Sequence, residues 1–146
     1  MKTDQEIRLH LHGQSFVEFA ITLPLLLLLL FGAIDLGRAF HAAIALTNSA
    51  REGARYGSIY PDATDAEIGA AVYTEMQNSG LDLSSSTITR SCYKDGVIVN
   101  TLPSGEACES NAPIKVTVTY DFQLIMGRLF SMENIILNRH VEMLVP

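Results

Sequence analysis

The sequence predicts an α+β protein in which a single N-terminal transmembrane helix extends into a long helix outside the membrane, followed by a second short helix and a small antiparallel sheet. Three observations predict this fold class. Residues 19–34 carry no charge, apolar and small residues then recur every three or four positions as far as Gly57, and residues 114–120 alternate between apolar and polar side chains.

Length and charge exclude several classes of protein. The chain has 146 residues, which leaves about 90 for one modest domain beside a membrane segment. Its formal net charge is −6, and no run of lysine and arginine is dense enough to follow a phosphate backbone, so nucleic acid is not an expected partner. No phosphate-binding glycine loop occurs, so any ATP used in the same process must be hydrolysed by another protein.

The apolar run is long enough to cross a bilayer. From Phe16 to Ile34 it has 19 residues, or about 28 Å of helix, against a hydrocarbon thickness of about 30 Å. Pro24 is expected to kink this helix rather than end it, because neighbouring membrane helices accommodate such kinks. The sequence therefore predicts one membrane span.

A cleavable secretory signal peptide is the alternative to a retained span. Its first segment should be basic, but Lys2 and Arg8 are offset by nearby acidic residues, and the nearest small-x-small site, 43–45, lies beyond the charged Asp35. Both points favour a retained span. Because the C-terminal portion is the larger one and holds both cysteines, it is expected outside the cell membrane, with the N-terminus in the cytoplasm.

Glu18 is a carboxylate at the entrance of the span. Such a charge costs on the order of 0 to 3 kcal/mol depending on its depth, so a partner or a role is expected. If the chain is cut between Gly13 and Gln14, the new α-amino group lies one helical turn from Glu18. The carboxylate then also lies near the positive end of the helix dipole, which favours it by about 0.3–1 kcal/mol. The alternative is a simple interfacial residue.

At this point the residues resemble a known family. Gly13 and Glu18 ahead of an apolar helix are similar to the processing site of type IV prepilins, and residues 13–57 resemble the TadE-like family, pseudopilin-like proteins of tight-adherence (Flp, Tad) pilus systems. Phe19 stands where this pilus class usually has tyrosine. The resemblance is carried by "GQSFVEFA", "LPLLLLLLFGAIDLGRAF" and "AREGARYG", with "IKVTVTYDF" similar to the family's distal strand.

The resemblance implies processing, partners and a function. A prepilin peptidase would cut after Gly13, which makes 1–13 a cytoplasmic leader, 14–58 the transmembrane helix and its pilin-like spine, and 59–146 an extracytoplasmic α+β head. Glu18 would meet a neighbour's N-terminal amine during assembly of a pilus or its secretion apparatus. The implied partners are sister pseudopilins or pilin and an inner-membrane assembly platform. The alternative is an unprocessed, membrane-tethered envelope accessory protein whose head binds a partner.

The helix is expected to continue beyond the membrane. From Gln14 to Gly57 it would have 44 residues, about 66 Å. Gly53 and Gly57 form a Gly-x3-Gly pattern at which another helix could approach closely, although a helix C-terminus near Gly57 explains one glycine without a partner. Two acid–arginine pairs three residues apart are expected on its surface, in structural rather than catalytic roles: Asp35 with Arg38, and Glu52 with Arg55.

The remaining residues predict the head. Pro61 ends the long helix, and a second helix is expected over 66–77, capped by Asp62 or Thr64, with an apolar stripe that packs on a sheet. Residues 86–93 and 97–102 predict a hairpin around Asp95-Gly96, and 114–122 predict the clearest strand. Residues 134–145 predict a last strand or a helix. The connection 127–133 is expected to be less ordered, with Met126, Leu129 and Phe130 covering a sheet edge or facing the membrane.

Cys92 and Cys108 are the two cysteines of the chain. A bridge between them would close a loop of about 16 residues and contribute roughly 3 kcal/mol in the chain-entropy model. Free thiols, or a metal or redox role, are the alternatives. Because Cys-x15-Cys matches neither a zinc nor a thioredoxin spacing, a structural disulfide is favoured.

No catalytic residue, metal or cofactor is expected. Ser91 and Lys94 match the Ser-x-x-Lys pattern of penicillin-recognising hydrolases, but that chemistry needs the two side chains one helical turn apart, and here they lie on a predicted strand and turn. The histidines form no ligand cluster: His10, His12, His41 and His140. The sequence therefore predicts an assembly protein rather than an enzyme.

Overall fold

A computed structural model describes residues 3–100, 107–127 and 131–146, with side chains from residue 14 onward except that of Lys94. The helices are α1 (Thr3–Ile59) and α2 (Asp65–Asn78), followed by a short 3-10 turn at Leu83–Ser85; the strands are β1 (Ser86–Lys94), β2 (Val97–Val99), β3 (Pro113–Gln123) and β4 (Asn134–Leu144). This architecture confirms the predicted fold class. The expected positions of Leu129 and Phe130 lie outside the described residues.

Helix α1 is one continuous element of 57 residues. Its backbone is already helical before Gln14. It continues through Pro24 and past Gly57 to Ile59, beyond which Pro61 disfavours helix.

The exposure of α1 changes abruptly at Asp35. Every side chain from Gln14 to Ile34 is exposed, whereas from Asp35 onward one face is buried at three- and four-residue intervals. This face consists mainly of small residues, which allow the head to pack closely against the helix. Its members are Asp35, Ala42, Ala45, Leu46, Ser49, Ala50, Gly53, Ala54 and Gly57.

The four strands form an antiparallel sheet in the order β2-β1-β3-β4. The predicted alternation of β3 is present, and its buried face packs on α1: Ile114, Val116, Val118 and Tyr120. Residues 134–144 form strand β4, because they pair with β3 along its whole length. Asp95 and Gly96 both have positive φ, as the tight β1–β2 turn requires.

Helix α2 begins with a capping box. Thr64 accepts a hydrogen bond from the Glu67 amide, and the Glu67 carboxylate accepts from the Thr64 amide at 2.8 Å. The bonds donated by the Thr64 amide and hydroxyl lower the pKa of Glu67. Of the two predicted caps, the structure thus uses Thr64.

The apolar stripe of α2 joins the same core as the sheet, as predicted, but α2 lies mainly against α1. The reason is the pair of glycines on α1. A methyl group on Gly53 would overlap the Val72 side chain of α2, and it would lie 3.2 Å from Val116 of β3. A methyl group on Gly57 would likewise overlap Ile114. The Gly-x3-Gly pattern therefore serves close packing within the chain, where α1, α2 and β3 meet.

A buried arginine connects β1 to the start of α2. The Arg90 side chain is 5% exposed and pairs through Nε with Asp65 Oδ1 at 2.7 Å. Its Nη1 donates to the Ala63 carbonyl at 2.6 Å. A buried charge needs such partners to offset its lost hydration, so Arg90 fixes the α1–α2 connection against the sheet.

Cys92 and Cys108 form a disulfide with a Cα–Cα distance of 5.5 Å. Both are buried, and the Cys108 amide donates to the Pro61 carbonyl at 2.9 Å. The bridge thus ties the segment before β3 to β1 and to the α1–α2 connection.

Replacing Gly53 by alanine is expected to destabilise the head. Overpacking a filled core costs about 1–3 kcal/mol, which exceeds the roughly 0.5–1 kcal/mol that alanine contributes over glycine inside a helix. Denaturant unfolding of the full chain in detergent measures the difference. Gly69→Ala on α2 is the matched control, because its new methyl group has its nearest contact at 3.9 Å; it should be stabilising. Equal effects of the two changes would contradict the packing role of Gly53.

Removing the disulfide by the double change Cys92→Ala and Cys108→Ala is expected to cost about 3 kcal/mol, because the unfolded chain regains the freedom of the 16-residue loop. The same unfolding measurement, with and without a reductant, tests this. Reductant should destabilise the parent chain and leave the double variant unchanged. A reductant effect of equal size on both would mean that the loss does not come from this bond.

Candidate functional site

Helix α1 presents a long apolar surface that none of the other described elements covers. Within Gln14–Ile59, an 18-residue window has a mean hydropathy of 2.4, and none of that window is buried. By length and composition the helix can cross a membrane, and it is the one described helix that can. The exposed fractions reach 77% at Phe16 and 72% at Ile21. Such side chains need lipid or other apolar helices around them, which supports a single-pass membrane protein.

Gly13, Gln14 and Glu18 lie at the entrance of this apolar stretch. Gly13 and Gln14 belong to one uninterrupted helix, and the Gln14 side-chain amide donates to Glu18 Oε1 at 3.2 Å. Glu18 is exposed. The structure therefore brings Gln14 and Glu18 together one turn apart, so that an α-amino group at Gln14 would lie close to the carboxylate.

Asp35 occupies the other end of the apolar stretch. Its residue is only 5% exposed, and its carboxylate accepts hydrogen bonds from two backbone amides of the β3–β4 connection. Ile125 N donates to Oδ1 and Met126 N to Oδ2, each at 3.0 Å. These two bonds join the point where the apolar run of α1 ends to the end of the sheet.

Arg38 completes this junction. Its Nη1 donates to Asp35 Oδ1 at 3.0 Å and to the Gln123 carbonyl at 3.4 Å. The guanidinium also lies 5.0 Å from the centre of the Phe122 ring, within the range of a cation–π contact. The predicted pairing of Asp35 with Arg38 is confirmed, as is that of Glu52 with Arg55. The first pair also binds β3, and we call Asp35, Arg38 and their backbone partners the helix–head clasp.

Comparison with known families identifies this helix. Residues 13–55 match the family model described as TadE-like protein. This segment is therefore similar to TadE-like proteins. Neither a curated protein nor a solved structure matches the chain.

The TadE-like segment includes Gly13, Gln14, Glu18, the whole apolar stretch and the α1 residues of the clasp, and it stops four residues before α1 ends. The sheet, α2 and the disulfide lie outside the match. The similarity to the family therefore lies on the helix, and the description of the head rests on the structure alone.

Backbone hydrogen bonds close the connection between β3 and β4, which Asp35 attaches to α1. Leu124 N donates to the Glu133 carbonyl at 3.1 Å, and Met132 N donates to the Gly127 carbonyl at 2.9 Å. A side chain at Gly127 would overlap the Met132 carbonyl oxygen, so the glycine permits this close approach. We call residues 124–127 and 131–133 the tip of the head.

Two grooves flank the clasp. One, of about 320 Å³, has almost wholly apolar walls and lies between α1 and the tip. The other, of about 420 Å³, has walls of mixed polarity and is lined by side chains that include Arg38, His41, Asp82 and Asp121. Among the described residues, no group of three or more histidine, cysteine, aspartate or glutamate side chains is arranged to hold a metal ion.

The serine of the Ser-x-x-Lys pattern lies on strand β1. Its hydroxyl donates to Asn100 Oδ1 at 2.8 Å. Ser91 thus takes part in a contact between β1 and the residue that follows β2.

Sequence reasoning missed the contacts of Asp35 with the tip and the burial of Arg90. One signal was available for Asp35. A carboxylate directly after 16 uncharged residues lies at an apolar boundary, where one arginine three positions away does not satisfy both of its oxygens. No comparable signal marks Arg90, whose partners come from α2 and the residues before it.

Replacing Asp35 by asparagine is expected to loosen the tip. The amide group can accept through only one oxygen, so a partly buried backbone donor loses its partner at a cost of about 1–3 kcal/mol. Hydrogen exchange at the amides of Ile125 and Met126 should accelerate. Glu52→Gln is the matched control, since it breaks an exposed acid–arginine pair of the same spacing, worth no more than about 0.5 kcal/mol. Unchanged exchange in Asp35→Asn would contradict the role of the clasp.

Proposed function

We propose that this protein is a minor pseudopilin-like component of a tight-adherence (Flp, Tad) pilus system, processed after Gly13, that takes part in assembling the pilus or its secretion apparatus. The observation that carries the proposal is the uncovered apolar helix entered through Gly13 and Glu18, within a segment that matches TadE-like proteins. A helix of this kind packs beside others of its kind.

The chemistry of Glu18 supports this role. In the uncut chain its carboxylate accepts a hydrogen bond from the neutral amide of Gln14. Cleavage places a positively charged α-amino group at Gln14. A charged donor binds a carboxylate more strongly than a neutral one, and more so where lipid lowers the dielectric constant. The same carboxylate can then receive the amine of its own chain or that of an adjacent subunit.

Gly13 favours processing for a conformational reason. A peptidase needs an extended substrate, while the backbone at this position is helical. Glycine weakens a helix interior by about 0.5–1 kcal/mol relative to alanine. Local opening is therefore easier here than at the neighbouring positions.

The proposed topology is supported by the disulfide of the head. The leader, residues 1–13, lies in the cytoplasm and the head outside the cell membrane, where an oxidising compartment favours the Cys92–Cys108 disulfide. The proposed partners are the membrane, a prepilin peptidase, sister pseudopilins or pilin, and an inner-membrane assembly platform. The protein acts through packing and adhesion of surfaces, with no catalytic role, cofactor or metal.

One observation favours a second candidate function. Because α1 runs unbroken from Thr3 through Gly13, the leader can remain part of the helix. The uncut protein would then be a membrane-tethered envelope accessory protein whose head binds a partner. In that case Glu18 keeps the Gln14 amide as its partner.

The two candidates predict different N-termini. We expect intact mass and N-terminal sequencing of the protein from native membranes to show a chain that begins at Gln14, and a Gly13→Ala variant to remain uncut. Gly37→Ala is the matched control, because it adds the same methyl group to the same helix in open space; it should be processed like the parent. A parent chain that still begins at Met1 in membranes with active peptidase would favour the tethered accessory protein.

A further inference from the structure

The position of the tip relative to the membrane segment is fixed by the clasp. Asp35 directly follows Ile34, the last residue of the apolar run, and its carboxylate oxygens lie 3.0 Å from the amides of Ile125 and Met126. The tip therefore lies at the height where α1 leaves the hydrocarbon. The headgroup layer on that side is about 5–8 Å thick, so a hairpin held at this height lies within it.

The described part of the tip carries four large apolar side chains beside the polar Ser131 and Glu133. Ile125 is 52% exposed and Met132 is 62% exposed. Exposure alone does not assign a partner, because Val97 at the β1–β2 turn is 64% exposed. Val97 lies at the opposite end of the sheet, near the C-terminal end of α1. At that end Cys92 of β1 pairs with Ile114 of β3, and Ile114 lies beside Gly57 of α1.

Continuity with the membrane helix distinguishes the tip. The apolar groove of about 320 Å³ is lined on one side by Gly32 and Leu36 of α1, and on the other by Leu124, Met126 and Met132 of the tip. Gly32 belongs to the apolar run itself. Asp35 also lines this groove, but it is only 5% exposed and its carboxylate is bonded to the amides of Ile125 and Met126. The apolar surface of the membrane segment therefore continues past it onto the head.

We infer that the tip inserts into the surface of the bilayer, so that the head is docked on the lipid through Ile125, Met132 and the apolar groove beside Leu36. The inference rests on the proposed membrane placement of α1. Lipid is the occupant because the clasp holds the tip at the height of the headgroups, and backbone hydrogen bonds from Leu124 and Met132 close the tip on itself. Burying these side chains in the interface is favourable, as it is for amphipathic elements that lie on membranes.

Fluorescence of single-tryptophan variants tests the inference, because the chain contains no tryptophan. The full-length variants Ile125→Trp and Met132→Trp are reconstituted into vesicles of phosphatidylethanolamine and phosphatidylglycerol that contain brominated lipid. Val97→Trp is the matched control, being an aliphatic residue of similar exposure at the far end of the sheet. Leu25→Trp, in the middle of the apolar run, reports whether α1 is inserted.

The expected result is blue-shifted emission and bromine quenching at positions 125 and 132, and neither effect at position 97. Bromine near the lipid headgroups should quench these two positions more than bromine near the bilayer centre. The inference would be overturned if acrylamide in the aqueous phase quenched tryptophan at 125 and 132 as strongly as at 97, while brominated lipid quenched position 25. The membrane span would then remain supported. A blue shift that grows with protein density without bromine quenching would assign the tip to a second copy instead. Absence of lipid quenching at position 25 would remove both the inference and the proposed membrane placement.

Discussion

The carboxylate of Asp35 is the contact on which the arrangement of helix and head depends. A carboxylate this deeply buried is stable only when its oxygens are bonded, and here an arginine and two backbone amides supply the donors. Because the amides come from the end of β3, the requirement of one side chain fixes the sheet against the helix. About 27 Å further along α1, Gly53 admits Val72 and Val116 to close contact, so the head is held at two separate heights.

The first of these points, Asp35, divides α1 into two parts with opposite surroundings. Before Asp35 every described side chain is exposed, and after it one face is covered by the head. The head therefore begins where the apolar stretch ends, and it does not cover that stretch. A helix anchored only at its far half leaves its whole apolar surface available to lipid or to other helices, which is the property that assembly through helix packing needs.

Local patterns predicted most of the architecture. The uncharged run, the alternation of 114–120 and the three-residue spacing of Asp35 and Arg38 each depend on neighbours in sequence, so the helix, the strand and the ion pair could be read directly. The contacts of Asp35 with Ile125, 90 residues away, and of Arg90 with the start of α2 could not, because they require the tertiary fold. The same limit explains why α1 could not be predicted as the main partner of α2, since nothing in the local pattern around Gly53 identifies the helix that packs on it. The strand character of 134–144 likewise depends on its pairing with β3.

The two carboxylates at the ends of the apolar stretch illustrate how surroundings separate a structural residue from a functional one. Both follow the same principle, that a charge beside a membrane needs donors. Asp35 finds a cation and two amides within its own chain and is buried, so its bonding capacity is used in holding the head. Glu18 is exposed, and its hydrogen bond from a side-chain donor comes from the neutral Gln14 amide. The acid that still lacks a cation within the described chain is the one suited to receive an N-terminal amine. This difference supports the proposed assembly role of Glu18, whereas the contacts of Asp35 anchor the head.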